Sequence, residues 1–110
     1  ALDNVLVCAD ARVDASNATT LLRRLVPGID VHVRVAELSG GQRRRVEIAR
    51  ALLCGGCAVI LDEPFTGLDA AARDATAEAV LDLLDGRTLL LATHDVVDAQ
   101  ALDISDIITL

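Results

Sequence analysis

Apolar positions recur along this chain in two rhythms, and the change from one to the other sets the expected elements. In residues 14–26, Leu21, Leu22, Leu25 and Val26 fall at helical spacing and Pro27-Gly28 stops the run, so a helix is expected. Residues 41–53 put Val46, Ala49, Leu52 and Leu53 on one face and Arg43, Arg44, Glu47 and Arg50 around the other, the pattern of an amphipathic helix. Another helix is expected from about Ala70 to Leu84, with Ala75, Ala79, Val80, Leu83 and Leu84 as its buried stripe and Asp85-Gly86 as its stop. Between these lie two continuous apolar runs, residues 58–61 and 88–93, which read as buried strands. The first ends in Asp62-Glu63-Pro64 and the second in His94-Asp95. A short helix over about 96–102 and a last strand over 104–110 follow, and residues 2–7 form a short apolar segment. Residues 29–35 alternate apolar and polar side chains, which taken alone argues a strand.

Chemistry gathers at the ends of these elements. Ser39 with Gln42 three residues on has capping-box spacing, so Leu38-Ser39-Gly40-Gly41-Gln42 opens a helix whose first N–H groups point outward. Two glycines remove side chains from that end. Free N–H donors and the helix dipole both favour a phosphate there, although an ordinary glycine-rich turn would have the same spelling. In open α/β sheets ligands sit at the carboxyl ends of strands. Adjacent carboxylates such as Asp62 and Glu63 suit phosphoryl chemistry, one helping to hold Mg2+ and the other positioning or deprotonating an attacking water.

Four segments in order then resemble the ATP-binding cassette (ABC) ATPases. Leu38 to Gln42 resembles the signature motif, Leu61-Asp62-Glu63-Pro64 the Walker B motif, Thr66-Gly67-Leu68-Asp69 the D-loop, and Thr93-His94-Asp95 the switch histidine. The resemblance implies an α/β fold, a partial P-loop NTPase (RecA-like) core with parallel strands preceded by part of the helical subdomain. Residues 1–53 would belong to the helical part and 54–110 to the catalytic core. It makes residues 29–35 the linker into the signature, places strands 58–61 and 88–93 side by side, and sets the P-loop strand between the second of them and the last.

In that family two nucleotide-binding domains pack head to tail around ATP. Carried over by position, Ser39, Gly40, Gly41 and Gln42 would touch the γ-phosphate bound on the opposite domain. Asp62 would reach Mg2+ through water, Glu63 would orient and polarise the attacking water, and His94 would contact the γ-phosphate as a switch. Asp69 would pass information across the dimer. Cofactors are then ATP and Mg2+, and partners are a second nucleotide-binding domain and transmembrane transporter domains. The D-loop spelling Phe65-Thr66-Gly67-Leu68-Asp69 varies only where the family varies freely.

Composition changes this picture in one respect. All ten basic residues are arginine, so no Gly-x-x-x-x-Gly-Lys-Ser/Thr loop is present. The expectation is the C-terminal half of one nucleotide-binding domain, with no ATP turnover of its own. Its last strand, lacking the P-loop strand beside it, would expose an apolar edge, so the chain alone should be unstable, partnered or rearranged. Hydrophobic content is 53% with Phe65 the one aromatic, which calls for an aliphatic, alanine-rich core.

Eight of the ten arginines precede residue 58, while eleven of the seventeen acids follow it. That acidic second half excludes a broad nucleic-acid surface, which wants a basic stripe. Arg43-Arg44-Arg45, with Glu47 four residues beyond Arg43, reads as a solvated, ion-paired helix face. Cys54-Gly55-Gly56-Cys57 has redox spacing in the wrong setting, since a helix precedes it and a strand follows. His32 reads as a surface or linker residue. No apolar stretch approaches eighteen residues and the first thirteen carry no basic leader region, so the expected place is cytoplasmic, and the resemblance adds that it is peripheral at the inner face of a membrane.

The leading function is the ATPase part of an ABC transporter. Thr93-His94-Asp95-Val96-Val97-Asp98-Ala99 resembles importer subunits and Gly86-Arg87-Thr88 resembles exporters, so the direction of transport stays open. The alternatives are a soluble, non-transport ABC ATPase and a non-catalytic cassette fragment that acts by pairing with another cassette.

Overall fold

The computed structural model describes residues 1–6, 14–104 and 106. The expected last strand, beyond Ile104 and Asp106, and Cys8 lie outside the described residues. In chain order the elements are α1 (Leu2–Leu6), α2 (Ala15–Leu25), a 3-10 turn (Val35–Glu37), α3 (Gly40–Leu53), β1 (Ala58–Asp62), α4 (Ala70–Leu83), β2 (Thr88–Ala92) and α5 (Val96–Ala101).

Side-chain caps fix where the helices begin. Asp14 opens α2 by accepting from the Asn17 N–H at 2.8 Å. At α3 the Ser39 hydroxyl accepts from the Gln42 N–H at 3.1 Å while the Gln42 side chain accepts from the Ser39 N–H at 3.0 Å, a reciprocal capping box. Asp69 opens α4 by accepting from the Ala72 N–H at 2.7 Å. Left-handed residues end the runs: Gly28 at φ 80° after α2, and Asp85 and Gly86 at 49° and 78° after α4.

The strands β1 and β2 form a parallel pair joined through α4, and they are aligned without stagger from Ala58↔Thr88 to Asp62↔Ala92. Val59 and Leu61 point into the core while Ala58, Ile60 and Asp62 face outward. Helix α3 packs on α1, α2 and β1, and α4 packs on α2 and α5. One cluster of buried side chains runs through them all, centred on Leu22, Val46, Val59, Phe65, Val80 and Leu102.

Three expectations differ from what is observed. Residues 29–35 form turns in place of a strand. Val31 is buried and His32 exposed as the alternation implied, but the Val31 carbonyl is taken by the Leu2 N–H at 2.7 Å and no ladder forms. On α4 the buried face is Thr76, Ala77, Ala79 and Val80, with Ala75 exposed and Leu83 and Leu84 half-buried. Alanine lies all round this helix, so its sequence did not single out one face. The arginine run bonds carbonyl oxygens instead of building an ion-paired face. Arg43 donates to Leu38, Arg45 to Gly41 and to Leu25 at the end of α2, and Arg44 to Asp62 at the end of β1.

The outward face of the sheet is apolar. Ile60 and Leu90 sit opposite one another in register with 68% and 54% of their surfaces exposed. Ile60→Thr with Leu90→Thr should keep strand propensity, change the denaturation midpoint little, and reduce self-association in sedimentation velocity. Leu22→Ala, at a fully buried position, should cost about 2–5 kcal/mol in chemical denaturation.

Candidate functional site

The flush alignment of the strands brings the two carboxyl ends to one edge. Glu63 continues the pairing one residue past β1, its N–H donating to the Ala92 carbonyl at 2.8 Å. Its φ of 46° then turns the chain out of the strand, a left-handed conformation that is uncommon away from glycine and asparagine. Here the turn keeps the Glu63 side chain against the end of β2. Its Oε1 lies 2.7 Å from His94 Nδ1, and its Oε2 lies 3.5 Å from the Thr93 hydroxyl, whose one hydrogen has its shorter path to Asp98.

Thr93 is held from two further sides. Its hydroxyl donates at 3.1 Å to Asp98, a carboxylate 8% exposed in the first turn of α5, and accepts at 3.1 Å from the Asp95 N–H. Asp95 caps α5 by accepting from the Val97 N–H at 2.9 Å. Sequence reasoning missed the Thr93–Asp98 bond; an acid placed in the first turn behind the Asp95 cap was the available signal. His94 stands clear of this network with 87% of its side chain exposed, so its ring is open to any ligand reaching this edge.

The hydrogen bond that Glu63 accepts, then its negative charge, raise the His94 pKa above the ordinary 6.5, opposed by desolvation and helped to a lesser extent by Asp95 and Asp98. A raised histidine favours the paired state at low pH. The pairing contributes fully below pH 6.5 and is lost as the pH climbs through the raised value.

Asp62 ends β1 with its side chain outward and exposed. Mg2+ is ordinarily held by one or two carboxylates together with phosphate oxygens and waters, so a lone exposed carboxylate beside Glu63 fits such an ion. Among the described residues no group of three or more His, Cys, Asp or Glu is placed to form an all-protein cage.

The signature-like helix start lies across the Phe65–Asp69 loop from this edge. Ser39 and Gln42 spend their side chains on the capping box, leaving the Gly40 and Gly41 N–H groups ahead of the first helical bond, from Arg43 to Ser39. The two glycines differ. A Cβ on Gly40 would meet open space, whereas one on Gly41 would lie 3.1 Å from the Gly67 carbonyl and 3.2 Å from Leu68 Cδ2. Gly67 itself has φ +81°. Asp69 is engaged as the cap of α4. The structure thus joins Glu63 with His94, and Gly41 with the loop before Asp69. Among the described residues no hydrogen bond links Ser39 to Gln42 with Glu63 or His94. Cys54 is half-buried and Cys57 exposed in the turn between α3 and β1, and His32 is exposed.

Parallel strands joined through a helix, with carboxylates at their carboxyl ends and a glycine-opened helix beside them, define an α/β core of the P-loop NTPase kind. The family model described as ABC transporter matches residues 4–66, and the chain belongs to that family. It is 44% identical over 63 residues to a manganese transport system ATP-binding protein of Synechocystis, covering 56% of this chain and 24% of that protein. It is 49% identical over 72 residues to the Nod factor export ATP-binding protein I of Rhizobium johnstonii, covering 64% and 23%. Against an uncharacterised ABC transporter ATP-binding protein of Haemophilus influenzae it is 38% identical over 85 residues, covering 77% and 35%. The chain therefore spans about a third or less of these relatives. In structure it resembles the archaeal ribosome recycling factor aABCE1, solved in complex with the stalk protein aP1, with TM-score 0.76 and 25% identity over 92% of this chain and 19% of that one.

Two measurements check this geometry. In an NMR titration His94 should have a pKa above 6.5 in the native chain, and Glu63→Gln should bring it back toward 6.5. Gly40→Ala should be neutral or stabilising by up to about 1 kcal/mol in denaturant unfolding, from helix propensity. Gly41→Ala should lose about 1 kcal/mol net, because a crowding cost of about 1–3 kcal/mol exceeds the same propensity gain.

Proposed function

We propose that this chain supplies the signature, Walker B, D-loop and switch-histidine parts of an ATP-hydrolysing cassette that drives transport of a solute across a membrane. Residues 1–53 would form part of its helical subdomain and residues 54–110 part of its catalytic core. The observation that carries the reading is the 2.7 Å contact between Glu63 and His94 at the ends of adjacent parallel strands. A carboxylate held there by a histidine can accept a proton from a water and orient it for attack.

In this reading Asp62 would help to hold Mg2+, which would supply screening of the charge on the phosphates. Glu63 orients and polarises the attacking water. His94, exposed and raised toward its cationic form, leaves Glu63 for the γ-phosphate when nucleotide arrives. Ser39, Gly40, Gly41 and Gln42 would present the start of α3 to the nucleotide of an opposed cassette, and Asp69 would pass information across the dimer. With no lysine in the chain, the lysine-bearing phosphate loop comes from elsewhere. Among the described residues no helix is long and apolar enough to cross a membrane, so contact with the membrane would run through transmembrane partner domains at its inner face.

Transport is favoured over ribosome recycling because the relatives matched at 44% and 49% identity are transport and export proteins, against 25% for the recycling factor.

The purified chain is expected to show no ATP turnover; robust turnover that vanishes in Glu63→Gln would overturn the view that the nucleotide pocket is incomplete here. Joined to an N-terminal segment that carries a Gly-x-x-x-x-Gly-Lys-Ser/Thr loop and completes the cassette, it should hydrolyse ATP. In that fusion Glu63→Gln should lower kcat by about 100-fold or more. An unchanged kcat would sink the assignment of Glu63.

A further inference from the structure

Arg87 lies outside every motif above, yet it bonds more main chain than any other side chain among the described hydrogen bonds. Its Nε donates to the Leu84 carbonyl at 2.9 Å and its Nη2 to Leu83 at 2.7 Å, both at the end of α4. The same Nη2 donates to Leu52 at 2.9 Å and Nη1 to Cys54 at 3.2 Å, both at the end of α3. The last carbonyls of a helix lack internal partners, and the negative end of its dipole favours a cation. One planar guanidinium here serves two helix ends at once. The Nη2 nitrogen alone bridges Leu83 and Leu52, while Nε and Nη1 add Leu84 and Cys54, so the planar fork reaches four carbonyls from three nitrogens.

These two helices begin at the candidate site. Each is fourteen residues long, α3 starting behind Ser39 and α4 behind Asp69. Arg87 also immediately precedes β2, whose first N–H, from Thr88, donates to the Cys57 carbonyl just ahead of β1. It therefore stands at the back of α3, α4 and both strands, about 20 Å from the helix starts at 1.5 Å per residue. Between these ends α3 packs on α1, α2 and β1, α4 packs on α2 and α5, and the two helices touch each other only over a smaller contact. At the front, Gly41 of α3 lies against Gly67 in the loop ahead of α4.

We infer that Arg87 is a positioning residue, fastening α3 and α4 at their far ends so that the Ser39–Gln42 helix start and the Asp69 loop are held in one geometry against Glu63 and His94. The assignment rests on the functional reading above only for the meaning of those residues. Without the fork, α3 can pivot about the Gly41–Gly67 contact, and the displacement appears at its start.

The test uses the full isotope-labelled chain with no nucleotide, so its outcome is independent of whether the chain belongs to an ATPase. Arg87→Met removes every donor and keeps an unbranched stem. Val80→Ala, at a fully buried core position, is chosen as a control matched for loss of thermal stability. Arg87→Met is expected to shift the amide signals of Ser39, Gly40, Gly41, Gln42 and Ala72 by at least twice as much as Val80→Ala, and to move the His94 titration. Equal shifts in the two variants, or shifts confined to residues 52–54 and 83–88, would overturn the inference and leave Arg87 a stabilising residue only. Relaxation dispersion on the unsubstituted chain gives a readout that does not depend on a variant folding. Flat profiles at 39–42 and 72 are expected, and millisecond exchange confined to one of the two helices would also overturn it.

Discussion

The unstaggered parallel pairing of β1 with β2 is the constraint from which the candidate site follows. Because Asp62 faces Ala92, the next residues on each strand emerge side by side, and the Glu63 N–H reaches the Ala92 carbonyl. A slip of one residue would send Glu63 to the opposite face and part it from His94. The register is held by burial of Val59 and Leu61 beneath the sheet, and by the Thr88–Cys57 bond at its rear. Chemistry at the front edge thus depends on apolar packing below it. The left-handed turn at Glu63 is tolerated because that packing leaves the chain no other course.

Several arginines of this chain bond main-chain carbonyls at the ends of elements. Arg45 takes a carbonyl at the end of α2, Arg87 takes four at the ends of α3 and α4, and Arg44 takes the last carbonyl of β1. In each case the cation lies where main-chain acceptors are left over. The run Arg43-Arg44-Arg45, which looks in the sequence like a solvated basic face, instead bonds main-chain carbonyls of α2, α3 and β1 and of Leu38 ahead of α3. Surface ion pairs such as Arg24–Asp82, at 2.6 Å but with both partners exposed, add little by comparison.

What could be read from the sequence is what depends on near neighbours. The starts of α2, α3 and α4 were legible because their caps are side chains three residues from the amide they bind. The apolar runs showed that Glu63 and His94 each follow a strand, but that those strands are neighbours came only from the resemblance. Contacts set by distant parts of the chain were not legible. Nothing local to Arg87 points to Leu52, thirty-five residues away, and nothing local to Arg44 points to Asp62. The alternation over residues 29–35 described burial correctly but could not supply a partner strand, and the alanines of α4 left its inward face undetermined.

The separation of the paired strands also bears on how the fold is made. Residues in register are thirty positions apart, so the sheet closes a large loop, whereas α2 and α3 can associate as soon as both exist. On a growing polypeptide the glutamate emerges long before its histidine. It waits through the synthesis of the whole intervening helix, and the site is assembled among the last parts of the described fold. A product cut short within that helix would keep the arginine run and the glycine-opened helix, yet hold a carboxylate with nothing beside it.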